Sequence, residues 1–338
     1  MLNILITGAG GYIGGDILHY LEKAKIYKIN AIVKKRTNLF NNEKIKIIKH
    51  DLKKPLNFKL AVDGIIHCAE KNPLSSIKNY NENKQILNNL IRFSITNKVK
   101  KFIFLSSVSV YGDIKGKIII EETKKYNKTE YGKAKFNSEK LLFRKNKDFK
   151  TIVLRLPGIL VLEIKRKKPL LMSILNKALT GKKINIYNAK ERFNNVLDTL
   201  ELFKVINVLL RKRITKSSIY NISASNPIRF ADVLDLIIKK TNSKSKINQK
   251  LNLKKSFLIS NKKFSDAYNF KFASVKKIIN RFCRTISMHN FLLKRNYLIK
   301  SNKLAIEGGT PVRKELLPPR RIFGKSELEM VKSVFKDS

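Results

Sequence analysis

Two periodicities alternate along the first half of the chain. Residues 3–10 (NILITGAG) form a compact apolar run that ends in glycine, which predicts a buried strand entering a tight turn. Residues 12–24 (YIGGDILHYLEKA) then carry apolar positions at helical spacing. Further strands are predicted over 28–35, 44–52, 62–70, 100–112 and 150–160, the second of these with period-two alternation of apolar and polar positions. Helices are predicted over 79–97, where Ile86, Leu90, Ile91 and Phe93 share one side, and over 131–143. Strands that alternate with helices predict an α/β fold of Rossmann-like type, a doubly wound parallel sheet with helices on both faces.

The second half is less regular. Helices are predicted over 168–181, ended by Gly181, over 199–213 and over 229–242, with a short strand over 217–223. Residues 242–300 are rich in Lys and Asn, with weaker periodicity. The expected organisation is a dinucleotide-binding core over 1–160, a smaller mixed substrate-binding subdomain over 161–300 interleaved with it, and a tail over 301–338.

Charge changes this picture little. The 338 residues carry a formal net charge of +47, but Lys occurs in nearly every segment, so the excess reads as a solvated lysine-rich surface and no specific nucleic-acid site is expected. The apolar runs are shorter than the roughly 18 residues a membrane helix needs. The N-terminus lacks the features of a signal peptide. Two cysteines, Cys68 and Cys283, form no disulfide framework, and a cytoplasmic location is expected. No metal site is expected.

Chemistry enters at the first turn. Gly8, Gly11 and Gly14, with Tyr12 and Ile13 between them, lie where the first strand meets the first helix. Glycines there permit a tight turn and let backbone N–H groups approach a pyrophosphate, with the helix N-terminus adding free donors and a favourable dipole. The residues after the second strand meet the adenosine ribose in such folds. An acid there favours NAD, and a basic residue accommodates a 2′-phosphate. Here stand Lys34, Lys35 and Arg36 with no acid, so the cofactor is NAD or NADP, and the basic run points to NADP. Asp51 and Leu52 follow the third strand, where Asp51 also suits a plain turn.

The second anchor is Tyr131-Gly132-Lys133-Ala134-Lys135. Tyr131 and Lys135 share one face of a helix. A phenol titrates near pH 10, too high for a base at neutral pH, and a neighbouring ammonium stabilises the phenolate. Ser107 closes the fifth strand, at the edge where open α/β sheets bind ligands, and can hydrogen-bond a substrate oxygen.

The motifs TGAGGYIG (7–14), HCA (67–69), SSVSVYG (106–112) and YGKAK (131–135), in this order and spacing, resemble the NAD-dependent epimerase/dehydratase family, the extended short-chain dehydrogenases/reductases. The resemblance covers residues 1 to about 240 well. It implies that Tyr131 is a general base toward a sugar hydroxyl, that Lys135 lowers the Tyr131 pKa and binds the nicotinamide ribose, and that Ser107 orients the hydroxyl while hydride moves to or from nicotinamide C4. It further implies cofactor contacts from Asp51 to adenine, from the Cys68–Ala69 turn, and from Asn83 and Pro157, with a nucleotide-sugar substrate and a homodimer as candidate assembly. His67 reads as a structural strand-end residue. Val108-Ser109 replace the Asp-Glu pair of 4,6-dehydratases, Glu130 replaces the usual Pro before the tyrosine, and Val196-Leu197-Asp198-Thr199 departs from the usual late Val-Asp-Asp element. The expected activity is therefore an epimerase or a 4-keto reductase. Alternatives are a related oxidoreductase acting on a non-sugar alcohol or ketone, and a non-catalytic nucleotide-binding Rossmann protein.

Residues 303–338 differ in character. Ile306, Gly308, Gly309, Pro311, Val312 and Arg313 resemble the N-terminal start of PLP-dependent nucleotide-sugar aminotransferases. The expectation is a fusion or frameshift stub without aminotransferase activity of its own.

Overall fold

In the computed structural model, the described residues are 1–34, 44–70, 77–114, 116–126, 129–144, 148–162, 169–250 and 256–286, with side chains of the second helix described from residue 80. Lys35, Arg36 and the tail over 301–338, with its aminotransferase-like residues, lie outside them.

The chain runs β1 (Leu2–Thr7), α1 (Tyr12–Ala24), β2 (Tyr27–Val33), β3 (Ile45–Lys49), β4 (Gly64–His67), α2 (Ile77–Thr96) and β5 (Lys101–Ser107). A 3₁₀ turn over Val108–Tyr111 follows, then β6 (Ile118–Ile119), α3 (Glu130–Arg144), β7 (Lys150–Leu156), β8 (Gly158–Leu160) and α4 (Leu170–Leu179). The remainder comprises β9 (Ile184–Tyr187), β10 (Arg192–Phe193), β11 (Val196–Asp198), α5 (Thr199–Arg211), β12 (Ser218–Asn221), β13 (Ile228–Arg229), α6 (Phe230–Thr241), β14 (Ile247–Lys250), β15 (Leu258–Ile259), α7 (Lys262–Tyr268) and a last helix, α8, over 275–286.

Seven strands form one parallel sheet in the order β12-β7-β5-β4-β1-β2-β3. The order reverses direction between β1 and β4, which opens a crevice at the carboxyl ends of those strands. Both faces of the sheet are covered. Ile4, Ile6, Ile103 and Ile152 pack into one apolar cluster with α1, α4, α5, α6 and α8, and Leu5, Ile65, Phe102 and Val153 into another with α2 and α3. Strands buried on both faces explain the continuous apolar runs seen in the sequence.

Two segments depart from the expected pattern. The run 150–160 is not one strand. It breaks at Pro157, and β8 leaves the main sheet to pair in parallel with β11. Proline has no N–H for the ladder, so the strand ends there. The Lys-rich segment before residue 300 also hides α8, whose buried Val275, Ile278, Ile279, Phe282, Cys283 and Ile286 follow helical spacing.

Candidate active site

Every parallel strand delivers its next residues to the same edge of the sheet. That edge receives Gly8 after β1, Lys34 after β2, Asp51 after β3, Cys68–Glu70 after β4, Ser107 at the end of β5 and Pro157 after β7.

The glycine turn is set by close approach. Gly8 has φ +71°, and a Cβ there would lie 2.7 Å from the Ala69 Cα. A Cβ on Gly14 would lie 2.2 Å from the Gly8 carbonyl oxygen. The Gly11 N–H donates to the Gly8 carbonyl at 2.8 Å. Gly11 is also the N-cap of α1 and offers no side chain to the N–H donors of the first turn, which carries no acidic residue. This fits the pyrophosphate of a dinucleotide, whose oxygens would satisfy those donors. Ile13 packs against the core and Tyr12 is exposed.

Next to this turn, Thr7 Oγ1 lies 2.7 Å from His67 Nδ1 and accepts from the Ala69 N–H at 3.4 Å. His67 is therefore part of the strand-end framework. Its burial pushes its pKa down to about 3, helped by the nearby Lys135 charge. Burial pushes the Cys68 thiol up to about 12, so it is a thiol at neutral pH.

At the ends of β2 and β3, Lys34 Nζ lies 3.4 Å from Asp51 Oδ2, and the Lys53 N–H donates to Asp51 Oδ1 at 3.2 Å. Burial works against the Asp51 charge, but that N–H and the Lys34 and Lys53 ammonium groups more than offset it and lower its pKa. The structure thus joins two residues that the sequence assigned separately. Leu52 is buried, and its carbonyl accepts from Asn89 Nδ2 at 2.9 Å. Asn89, which sequence reading missed, ties α2 to this loop.

The catalytic candidates gather on α3 and β5. Among the described residues, Lys135 and Arg155 are the only buried Lys or Arg side chains, in a chain with 72 Lys and Arg. Burial of a lysine in so lysine-rich a chain therefore marks a specific constraint. Lys135 Nζ donates to the Leu105 carbonyl at 2.7 Å and pairs with Glu70 Oε2 at 2.7 Å. It also lies 5.0 Å from the centroid of the Phe104 ring and 5.9 Å from that of Tyr131. Tyr131 is half-buried. Ser107 is the N-cap of the 3₁₀ turn and accepts from the Ser109 N–H at 3.2 Å, and α3 packs against that turn. Asn83 lines a groove between α2 and α3 with Ala134, Asn137 and Ser138. Pro157 is buried at the end of β7. Glu70 was not singled out from the sequence, although it directly follows the His67-Cys68-Ala69 motif.

Below these groups lies a buried polar network. Arg155 bonds Glu139, the Tyr111 hydroxyl and the Glu121 carbonyl, and Ser106 donates to Glu139. Among the described residues no group of His, Cys, Asp and Glu could hold a metal ion, and no helix is long and apolar enough to cross a membrane.

A glycine turn at a sheet switch point, with Tyr131, Lys135 and Ser107 at the same edge, defines a Rossmann-fold protein of the extended short-chain dehydrogenase/reductase class. The family model for the NAD-dependent epimerase/dehydratase family matches residues 4–223, and the chain belongs to that family. It is 28% identical over 277 residues to an uncharacterised protein of Methanocaldococcus jannaschii, covering 72% of this chain and 82% of that one. It is 26% identical over 160 residues to the UDP-glucose 4-epimerase of Vibrio cholerae, covering 43% of this chain and 48% of that enzyme. Among solved structures, the UDP-glucose 4-epimerase of Thermotoga maritima matches with a TM-score of 0.72 at 17% identity, over 85% of this chain and 99% of that one. The UDP-glucuronic acid 4-epimerase of Bacillus cereus matches with a TM-score of 0.69 at 19% identity, over 85% and 99%.

Proposed function

We propose that this protein is an NAD(P)-dependent epimerase or 4-keto reductase acting on a nucleotide-diphosphate sugar. The observation that carries the reading is the buried Lys135 ammonium, 5.9 Å from the Tyr131 ring centroid, at the sheet edge that also presents the glycine turn. Names of the relatives, which include UDP-sugar 4-epimerases, support the sugar-nucleotide class.

In this reading Gly8, Gly11 and Gly14 hold the pyrophosphate with Tyr12 and Ile13, and Cys68, Ala69, Asn83 and Pro157 flank the rest of the dinucleotide. Bound nicotinamide supplies a reversible hydride acceptor at C4. Tyr131 takes the proton of the sugar hydroxyl as that carbon is oxidised and returns it when the carbon is reduced. Lys135 stabilises the phenolate and uses its remaining N–H toward a ribose hydroxyl. Ser107 orients the reacting oxygen. The segments after residue 160 contribute the sugar and nucleotide contacts. Val108-Ser109 provide no acid–base pair after Ser107, which supports an epimerase or reductase over a dehydratase.

The decisive experiment is a screen of UDP-, GDP- and dTDP-sugars with NAD and with NADP, products identified by mass and NMR, on wild type and Tyr131→Phe. Turnover that falls at least about 100-fold in the variant is expected, the lower range for loss of a positioned acid–base group. Equal turnover in both proteins would remove Tyr131 from the mechanism.

A further inference from the structure

We propose that Glu70 is a positioning residue of this site: its carboxylate is the counter-ion that keeps Lys135 in the ammonium form between the sheet and α3. This rests on the reading of Lys135 as an active-site group, and it concerns a residue outside the Ser-Tyr-Lys set.

The geometry is specific. Lys135 is 5% exposed, and its Nζ meets Glu70 Oε2 at 2.7 Å and the Leu105 carbonyl at 2.7 Å. Moving an ammonium out of water disfavours its charged form strongly, and buried lysines without a counter-charge titrate several units below their usual range. Here burial pulls Lys135 down, and the attraction of Glu70, first among the opposing causes, helps to leave Lys135 raised.

The other groups that face Lys135 do not supply this charge. From β4 come His67, which is neutral at physiological pH, and Cys68, which is a thiol there. From β5 come the Leu105 carbonyl and the Phe104 ring. From α3 comes Tyr131, a phenol and not a carboxylate, with its ring centroid 5.9 Å from Lys135 Nζ. Glu139, one turn further along α3, is taken by Arg155 and Ser106. Among the described residues Glu70 is therefore the carboxylate that answers the Lys135 charge. A neutral Lys135 amine could still donate a hydrogen bond but would no longer stabilise a Tyr131 phenolate, so Glu70 acts on catalysis through Lys135.

The test is urea unfolding of the full chain between pH 7 and pH 10, for wild type, Glu70→Gln and Glu70→Asp, each also in a Lys135→Met background. In wild type the raised Lys135 keeps its proton across this range. In Glu70→Gln the folded chain holds fewer protons on Lys135 than the unfolded chain, so its stability rises with pH relative to wild type. The gap in urea midpoint between wild type and Glu70→Gln is expected to shrink to less than half from pH 7 to pH 10. It should be independent of pH when Lys135 is Met. Glu70→Asp keeps the carboxylate on a shorter stem and is expected to show a gap that changes little with pH, while Glu70→Ala, which also removes the charge, is measured in the same way and stands in if Glu70→Gln does not fold. A gap that stays constant with pH in Glu70→Gln and Glu70→Ala would reduce Glu70 to a packing role and overturn the proposal. These measurements need no substrate. Loss of the Tyr131 mechanism would leave their outcome unchanged, and in active protein the alkaline fall of turnover should begin at least about one pH unit lower in Glu70→Gln.

Discussion

Arg155 and Glu139 face each other through two hydrogen bonds, Nε to Oε1 at 3.1 Å and Nη2 to Oε2 at 2.7 Å, with side chains only 2% and 3% exposed. The pair joins β7 to α3. The Tyr111 hydroxyl, which takes Arg155 Nη1 at 2.9 Å and donates to Asn221 Oδ1 at 2.7 Å, extends it to the 3₁₀ turn and β12. Removing one partner leaves a buried charge uncompensated. Glu139→Ala is expected to cost about 3–5 kcal/mol in urea unfolding, whereas the apolar double replacement Arg155→Met with Glu139→Leu should cost less than that. A single-variant loss under about 1 kcal/mol would show that the pair does not hold these elements together.

The glycine turn offers a paired comparison. A Cβ at Gly14 would meet the Gly8 carbonyl oxygen at 2.2 Å, while at Gly15 the nearest atom is the Ala9 carbonyl oxygen at 3.3 Å. The first contact is backbone against backbone and can be relieved only by moving the turn. Gly14→Ala is expected to weaken dinucleotide binding, measured by calorimetry, by at least about tenfold, or about 1.4 kcal/mol. Gly15→Ala should change it by less than about threefold, since its neighbour needs to give by only a few tenths of an ångström and alanine favours the helix. Equal losses in both variants would mean that the Gly8–Gly14 approach does not shape the site.

His67 predicts a pH dependence of stability. Its pKa in the folded chain is pushed down to about 3 from the usual 6.5. Above pH 6.5 it is neutral in both states. As pH falls below 6.5 the unfolded chain takes up the proton first, so stability is lost progressively toward pH 3. The difference between wild type and His67→Gln, which keeps a polar partner for Thr7, isolates this effect from the carboxylates. Wild type should lose a few kcal/mol more than the variant between pH 7 and pH 4. Parallel acid-unfolding curves for the two proteins would contradict the buried neutral imidazole.

Cofactor choice is open to a direct measurement. Lys34 is 55% exposed beside Asp51, at the end of β2 where the adenosine ribose is expected. If its charge serves a 2′-phosphate, Lys34→Ala should raise the Kd for NADP by about fivefold, near 1 kcal/mol, and leave that for NAD within twofold. An equal change for both cofactors would assign Lys34 to the Asp51 pair alone.

Much of this architecture is written in local sequence. The strand and helix order, the glycine turn and the face shared by Tyr131 and Lys135 follow from periodicity and residue type, because backbone sterics and burial act over a few neighbouring positions. Pro157 ended a strand that the apolar run alone made continuous, and the lysine-rich surroundings of 275–286 obscured a helix whose apolar stripe was present all along. Tertiary structure alone decided which charges meet. Glu70 and Lys135, Lys34 and Asp51, and Arg155 and Glu139 are not neighbours in the chain, and in a sequence with 72 basic residues the YGKAK motif points to Lys135 but not to the acid that meets it. For Glu70 and Lys135 the pairing depends on the crossing of β4, β5 and α3 at one sheet edge. The cost of desolvating a charge, which makes the Lys135 and Arg155 pairs necessary, appears only once the fold has removed those two side chains from water.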